Sequence, residues 1–178
     1  KKFKKNKPII LMGYYNLIYQ LGEDNFLNNC KSVGVDGLII VDLPWPENKK
    51  FSIKCKKKFI NFIQLLSPTT TPDRMKKIIK DSHEMIYYIS MLSTTGGKLK
   101  ISPKKIMDEY QKIKKKIPRK YIVIGFGITD KTISKLKKAD GLVVGSQLCK
   151  AITDSIKKGL NPVTILDKIV YSLKKEII

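Results

Sequence analysis

The chain has 178 residues, 42% of them hydrophobic, enough for one domain with a buried core. Its net charge is +21, from 36 basic and 15 acidic residues. That balance raises a nucleic-acid partner as an alternative, but only Arg74 and Arg119 are arginine, and base readout and bidentate phosphate clamps favour arginine. The lysines run along the whole chain, so the excess reads as compositional bias, and no nucleic-acid partner is expected.

In chain order, the first apolar run is Pro8–Gly13 (PIILMG), read as a strand and too short for a signal peptide's apolar region. Phe26, Leu27, Cys30 and Val33 then form one apolar helix stripe that Gly34 ends. A second strand, Val35–Val41 (VDGLIIV), closes on Asp42, and a third is Ile60–Leu66 (INFIQLL). Thr71-Pro72 opens a helix, with a cap residue before proline at the first helical position. His83, the only histidine, precedes the strand Met85–Ser90 (MIYYIS) and reads as a surface residue. After the loop Ser93-Thr94-Thr95-Gly96-Gly97, Ser102-Pro103 starts a helix with its stripe at Ile106, Met107, Tyr110 and Ile113, and Pro118 follows it. The last two strands are Tyr121–Gly127 (YIVIGFG) and Asp140–Gly145 (DGLVVG). Helices over about 147–158 and, after Asn161-Pro162, to about 175 complete the chain.

Six nearly continuous apolar runs alternating with amphipathic helices predict a parallel sheet with both faces covered. Right-handed crossovers leave an open doubly wound sheet or a barrel. No GxGxxG or GxxxxGK[ST] supports the open sheet, and an extra helix after the last strand is a phosphate-site device of barrels. Three cysteines, Cys30, Cys55 and Cys149, with no CxxC, fit neither a disulfide framework nor a zinc site. They suit a reducing cytoplasm or an organelle stroma. No stretch approaches the ~20 apolar residues of a membrane span, so no membrane partner is expected.

In parallel α/β folds ligands sit at the carboxyl ends of the strands. Three small-residue loops follow there: Ser93 to Gly97, Gly125-Phe126-Gly127-Ile128, and Gly145-Ser146 at a helix start. Glycine lets backbone N–H groups approach an anion, and a helix N-terminus adds a positive dipole end, so the three loops read as a phosphate cradle, with tight βα turns as the plainer alternative. Tyr14, Tyr87, Tyr88 and Phe126 lie near strand ends, where aromatic rings either hold a flat ligand or pack the core. Asp42 sits where a carboxylate reads as functional or supporting. One histidine leaves no Ser/His/Asp set beyond His83, and no metal cluster is visible.

Several strings, in order, resemble tryptophan synthase alpha chains. They are Ile10-Leu11-Met12-Gly13-Tyr14-Tyr15-Asn16, Gly34-Val35-Asp36-Gly37 through Val41-Asp42-Leu43-Pro44, Phe62 to Pro68, Tyr87-Tyr88-Ile89-Ser90 to Thr95-Gly96, Gly125-Phe126-Gly127-Ile128, and Val144-Gly145-Ser146. The resemblance covers nearly the whole chain, matches the third to eighth strands, and implies an incomplete TIM (β/α)₈-type barrel with six of eight strand–helix units in one domain, 1–178. A whole barrel needs about 250 residues.

The resemblance implies cleavage of indole-3-glycerol phosphate to indole and glyceraldehyde 3-phosphate, beside a tryptophan synthase beta chain in an alpha2-beta2 heterotetramer. It places phosphate at Gly96, Gly127, Ile128, Gly145 and Ser146, and the substrate pocket at Tyr14, Tyr87, Phe126, Thr95 and Asp42, with Thr95 linked to loop closure. No metal and no cofactor is expected here, since pyridoxal phosphate belongs to the beta chain. The family's catalytic Glu and Asp lie on the first two units, upstream of this chain, so no catalytic residue is named. Ser93-Thr94-Thr95-Gly96 departs from the family's more usual Gly-hydrophobic-Thr-Gly run, which implies a stiffer hinge. The alternatives are a non-catalytic phosphate-ligand-binding subunit that activates the beta chain, and another phosphate-sugar barrel enzyme.

Overall fold

A computed structural model describes residues 7–90, 92–94, 97–99, 101–125, 128 and 130–177. The chain divides into two compact units, Lys1–Tyr87 with Ile117–Tyr121, and Tyr88–Lys116 with Ile122–Ile178.

The first unit begins with β1 (Ile10–Gly13), then α1 (Tyr15–Leu21) and α2 (Glu23–Val33). Next come β2 (Gly37–Ile40), α3 (Lys49–Lys57), β3 (Asn61–Phe62), β4 (Gln64–Leu66) and α4 (Pro72–Asp81). β1, β2 and β3 form a parallel sheet in that order, with Gly13 opposite Ile40 and Leu38 opposite Phe62. Gly37 sits in a close approach of strands: a Cβ there would stand 3.1 Å from the Asn61 carbonyl oxygen and 3.3 Å from Ile10 Cγ1, tighter than ordinary contact. Leu27, Cys30, Leu38, Phe51, Cys55 and Phe62 lie in one buried cluster. Within it the Phe51 ring meets Phe62 edge-on at 5.9 Å and Tyr15 at 6.0 Å.

The first helix stripe is buried at Leu27 and Cys30, whereas Val33 is 52% exposed. Gly34, at φ 82°, ends α2 in a Schellman turn: its N–H donates to the Lys31 carbonyl and the Val35 N–H to the Cys30 carbonyl. The run 60–66 is two strands rather than one, separated at Ile63, and β3 and β4 belong to different sheets. Pro72 opens α4, as the Thr71-Pro72 pair predicts. Its carboxyl end is held by Lys120, whose ammonium donates to the Ile79 carbonyl (3.0 Å), the Ser82 carbonyl (2.6 Å) and Ser82 Oγ (2.8 Å). A cation there meets the negative end of the helix dipole.

β5 (Met85–Ile89) crosses the division between the units. The second unit continues with β6 (Leu92–Thr94), β7 (Gly97–Leu99), α5 (Pro103–Lys116), β8 (Tyr121–Gly125) and α6 (Asp130–Leu136). β9 (Gly141–Val143), α7 (Ser146–Lys157) and α8 (Pro162–Lys175) follow. β8 and β9 are parallel, Gly125 opposite Val143. β6 and β7 form an antiparallel hairpin, Thr94 opposite Gly97, where the sequence predicts only a loop. The α5 stripe is buried at all four predicted positions, Ile106, Met107, Tyr110 and Ile113. Asn161 caps α8 by accepting the Val163 N–H at 2.9 Å, and α7 packs on α8. Among the described residues no helix is long and apolar enough to cross a membrane.

Candidate functional site

In the second unit the carboxyl ends of three strands are tied side by side. The Gly125 carbonyl, at the end of β8, accepts from both the Ser90 N–H (3.0 Å) and Ser90 Oγ (2.7 Å), just past β5. The register of β8 with β9 then places Val143 opposite Gly125. The loops carrying Ile128 and Gly145-Ser146 therefore leave neighbouring strand ends, as a shared rim requires. Ser90 is buried and was not singled out from sequence, because a serine at a strand end carries no pattern of its own.

Gly145 precedes α7 at φ −118° and ψ −76°. Its carbonyl accepts the Leu148 and Cys149 N–H groups at 2.9 and 3.1 Å. The Ser146 and Gln147 N–H groups thus stand before the helix ladder, at the positive end of the dipole. A Cβ added at Gly145 would meet no atom within 4 Å, so the backbone there faces open space. Ile128, three residues past the end of β8 in sequence, is buried. Thr95, Gly96, Phe126 and Gly127 lie outside the described residues.

In the first unit the carboxyl ends of β1 and β2 are joined by the Val41 N–H, which donates to the Gly13 carbonyl at 3.0 Å. Asp42 accepts the Tyr15 N–H on Oδ1 at 2.7 Å. Its carboxylate thus satisfies an otherwise orphan amide at the start of α1 and meets the helix dipole favourably. This is a supporting contact, one of the two roles its position suggests from sequence. Tyr14, which precedes α1, has its side chain exposed. Tyr87 and Tyr88 are both buried in β5, and burial raises each phenol, Tyr88 to about 12.

His83 departs from the surface reading. It is half-buried, its Nδ1 accepts the Phe62 N–H at 3.0 Å, and its Nε2 lies 3.0 Å from Ser52 Oγ. An Nδ1 that accepts leaves the hydrogen of the neutral ring on Nε2, so the imidazole donates to Ser52. That polarity is opposite to the one a base activating a serine needs. Burial first, then the Lys56 and Lys120 ammoniums, hold the imidazole below its ordinary 6.5. Burial also raises the Cys30 and Cys55 thiols, Cys55 to about 12, which keeps them protonated. Among the described residues, no three His, Cys, Asp or Glu side chains stand together as a metal site would need.

The sequence profile described as "Tryptophan synthase alpha chain" matches residues 1–177. The tryptophan synthase alpha chain of Pelagibacter ubique (strain HTCC1062) is 71% identical over 177 residues, which are 99% of this chain and 67% of that protein. A crystal structure of tryptophan synthase subunit alpha from Legionella pneumophila is similar at a TM-score of 0.86 and 30% identity, covering 99% of this chain and 64% of that one. A chain of the tryptophan synthase α2β2 complex from Pyrococcus furiosus gives 0.77 and 32%, covering 98% of this chain and 68% of that one. On the match along 177 residues, this chain belongs to the tryptophan synthase alpha chain family.

Proposed function

We propose that this chain acts as the alpha subunit of a tryptophan synthase, a carbon–carbon lyase that splits indole-3-glycerol phosphate into indole and glyceraldehyde 3-phosphate. The observation that carries the reading is the 71% identity to an alpha chain along 177 residues. The rim of strand ends supports it. The Gly145 backbone faces open space, and the first amides of α7 offer N–H groups to a phosphate. Gly96, Gly127, Ile128 and Ser146 complete the proposed phosphate site, and Tyr14, Tyr87, Phe126, Thr95 and Asp42 the substrate pocket. Within that pocket Asp42 supports the start of α1 rather than carrying a proton in the reaction, in line with its bond to the Tyr15 amide.

The chemistry needs a proton delivered to the indole carbon and another removed from the side-chain hydroxyl, by groups on opposite sides of a dry pocket. The same reading assigns the six strand–helix steps to the third through eighth units of the family's barrel, with the acid and base, a Glu and an Asp, on the first two. Support comes from the surface of β1 and α1. β1 is an edge strand, and Ile10, Leu11 and Met12 on its two sides, with Leu17 of α1, are 38, 42, 53 and 69% exposed, apolar surface of the kind that further strand–helix units cover. A beta chain is the proposed partner and the bearer of pyridoxal phosphate, and the α2β2 complex among the structural relatives favours it.

The decisive assay is indole release from indole-3-glycerol phosphate by the full-length protein, alone and with its beta chain. Release that rises with the beta chain is expected. Stimulation of the beta chain without any indole release would replace the lyase by a non-catalytic binding subunit.

A further inference from the structure

Between α3 and α4, within the first unit, lie two adjoining hollows of about 390 and 340 Å³ that share Lys49, Lys80 and Asp81. Lys56 lines only the larger and Lys77 only the smaller. The one carboxylate of the groove is already committed: Asp81 accepts the Trp45 indole N–H at 2.7 Å and pairs with Lys49 at 3.3 Å. Among the described residues no acidic side chain pairs with Lys56, Lys77 or Lys80. Asp81 also feels the Lys80 ammonium, but one carboxylate against Lys49, Lys56, Lys77 and Lys80 leaves the groove an excess of positive charge, which concentrates anions there. On the floor of the larger hollow, Ser52 receives the His83 Nε2–H, so its own hydroxyl hydrogen remains to be donated.

We propose that this groove binds a small anion of the diphosphate class, with Lys56, Lys77 and Lys80 carrying its charge and Ser52 donating to one phosphate oxygen. Lys56 and Lys80 line the larger hollow and Lys77 and Lys80 the smaller, so two linked phosphates, one in each hollow, match the set better than a single one. The hollows fall in the roughly 300–1,000 Å³ range of small-molecule sites. The inference uses none of the residues of the proposed phosphate site or substrate pocket, so it holds or fails independently of the lyase reading.

Trp45 is the chain's only tryptophan and lines the smaller hollow, 5.0 Å from the Lys49 ammonium and 5.8 Å from that of Lys77. Its emission therefore reports this groove. Titration of the chain with inorganic pyrophosphate at constant ionic strength is expected to give a saturable change in that emission. The pair Lys77→Gln with Lys80→Gln should weaken binding about ten-fold, the product of two partly exposed ion contacts. The exposed pair Lys168→Gln with Lys174→Gln on α8 makes the same change in net charge and should bind as the parent does. Equilibrium dialysis of labelled pyrophosphate gives the affinities without relying on the indole. A change that never saturates, an equal change with sodium chloride, or equal weakening by both lysine pairs would overturn the proposal.

Discussion

Gly159 offers a clean measure of backbone strain in this chain. It follows α7 at φ 65°, its N–H donates to the Ile156 carbonyl at 3.1 Å, and the Leu160 N–H donates to the Ser155 carbonyl at 2.9 Å. That is a Schellman turn, with the glycine in the left-handed region. A Cβ added there would touch nothing within 4 Å, so Gly159→Ala introduces no clash beyond the local backbone. The left-handed conformation costs an L-residue about 1–2 kcal/mol. At a φ closed to alanine the native strain outweighs the about 0.4–1 kcal/mol that a stiffer unfolded chain returns, so the net effect is a loss. Urea or thermal unfolding should therefore show a loss of about 1–2 kcal/mol, each kcal/mol lowering Tm by about 2–4 °C for a chain of this length. Gly159→Asn should lose clearly less, because asparagine tolerates this region. If alanine costs nothing, or asparagine costs as much as alanine, the turn is not what holds this glycine.

Gly145→Val should leave the unfolding midpoint nearly unchanged, since its φ is −118° and its Cβ position is open. The same variant should raise KM for indole-3-glycerol phosphate, because the branched side chain fills the space proposed for phosphate. An unchanged KM would remove Gly145 from the site. His83 has its folded value pushed below 6.5, so the unfolded chain binds the proton more readily. The neutral ring's contribution is full above about pH 6.5 and is lost as pH falls from there through the folded value. Urea midpoints measured from pH 8 to 5 should fall more steeply for the parent than for His83→Gln, and parallel curves would contradict this. Asp140→Ala should destabilise by about 1–3 kcal/mol, because it removes the side-chain acceptor of the Ile122 N–H and one ion-pair partner of Lys114. Asp140→Asn, which keeps an acceptor, should cost less in the same unfolding assay.

β2 and β5, buried on both faces, read as nearly continuous apolar runs and fold as strands, and β1, β8 and β9 were legible on the same pattern although they are partly exposed. Helix starts were legible because proline at the first position has one local meaning, realised at Pro72, Pro103 and Pro162. The break at Ile63 was not, because the two polar residues of INFIQLL, Asn61 and Gln64, flank no turn signal, and a change of sheet alters hydrogen-bond partners without altering the residue pattern. The β6–β7 hairpin was missed because Ser93-Thr94-Thr95-Gly96-Gly97 lacks the alternation that marks paired strands. His83 was misread because its partners, Ser52 and Phe62, are distant in sequence and make no motif with it. The rim glycines were visible as candidates, but Ser90 was not, since its effect lies in a bond to a carbonyl 35 residues away.

The triplet Asp-Gly-Leu occurs at residues 36–38 and 140–142, and both copies solve the same problem of aligning parallel strands. Asp36, before β2, accepts the Ile9 N–H at 2.7 Å, ahead of β1. Asp140, before β9, accepts the Ile122 N–H at 2.8 Å, at the start of β8. In each case the carboxylate takes an amide that would otherwise lie beyond the end of the ladder, which fixes where pairing begins. The glycine that follows lets the neighbouring strand close in: a Cβ at Gly37 would stand 3.1 Å from the Asn61 carbonyl oxygen, and one at Gly141 would stand 3.0 Å from Val123 Cγ1. Register set at the amino ends is carried along rigid strands to the carboxyl ends, where Gly13 meets Ile40 and Gly125 meets Val143. A slip of one residue would turn every side chain of the strand to its other face and move the loop beyond it. Asp140 thus helps to determine which backbone groups the end of β9 carries to the proposed phosphate rim, and Asp36 does the same work for the ends of β1 and β2 within the first unit.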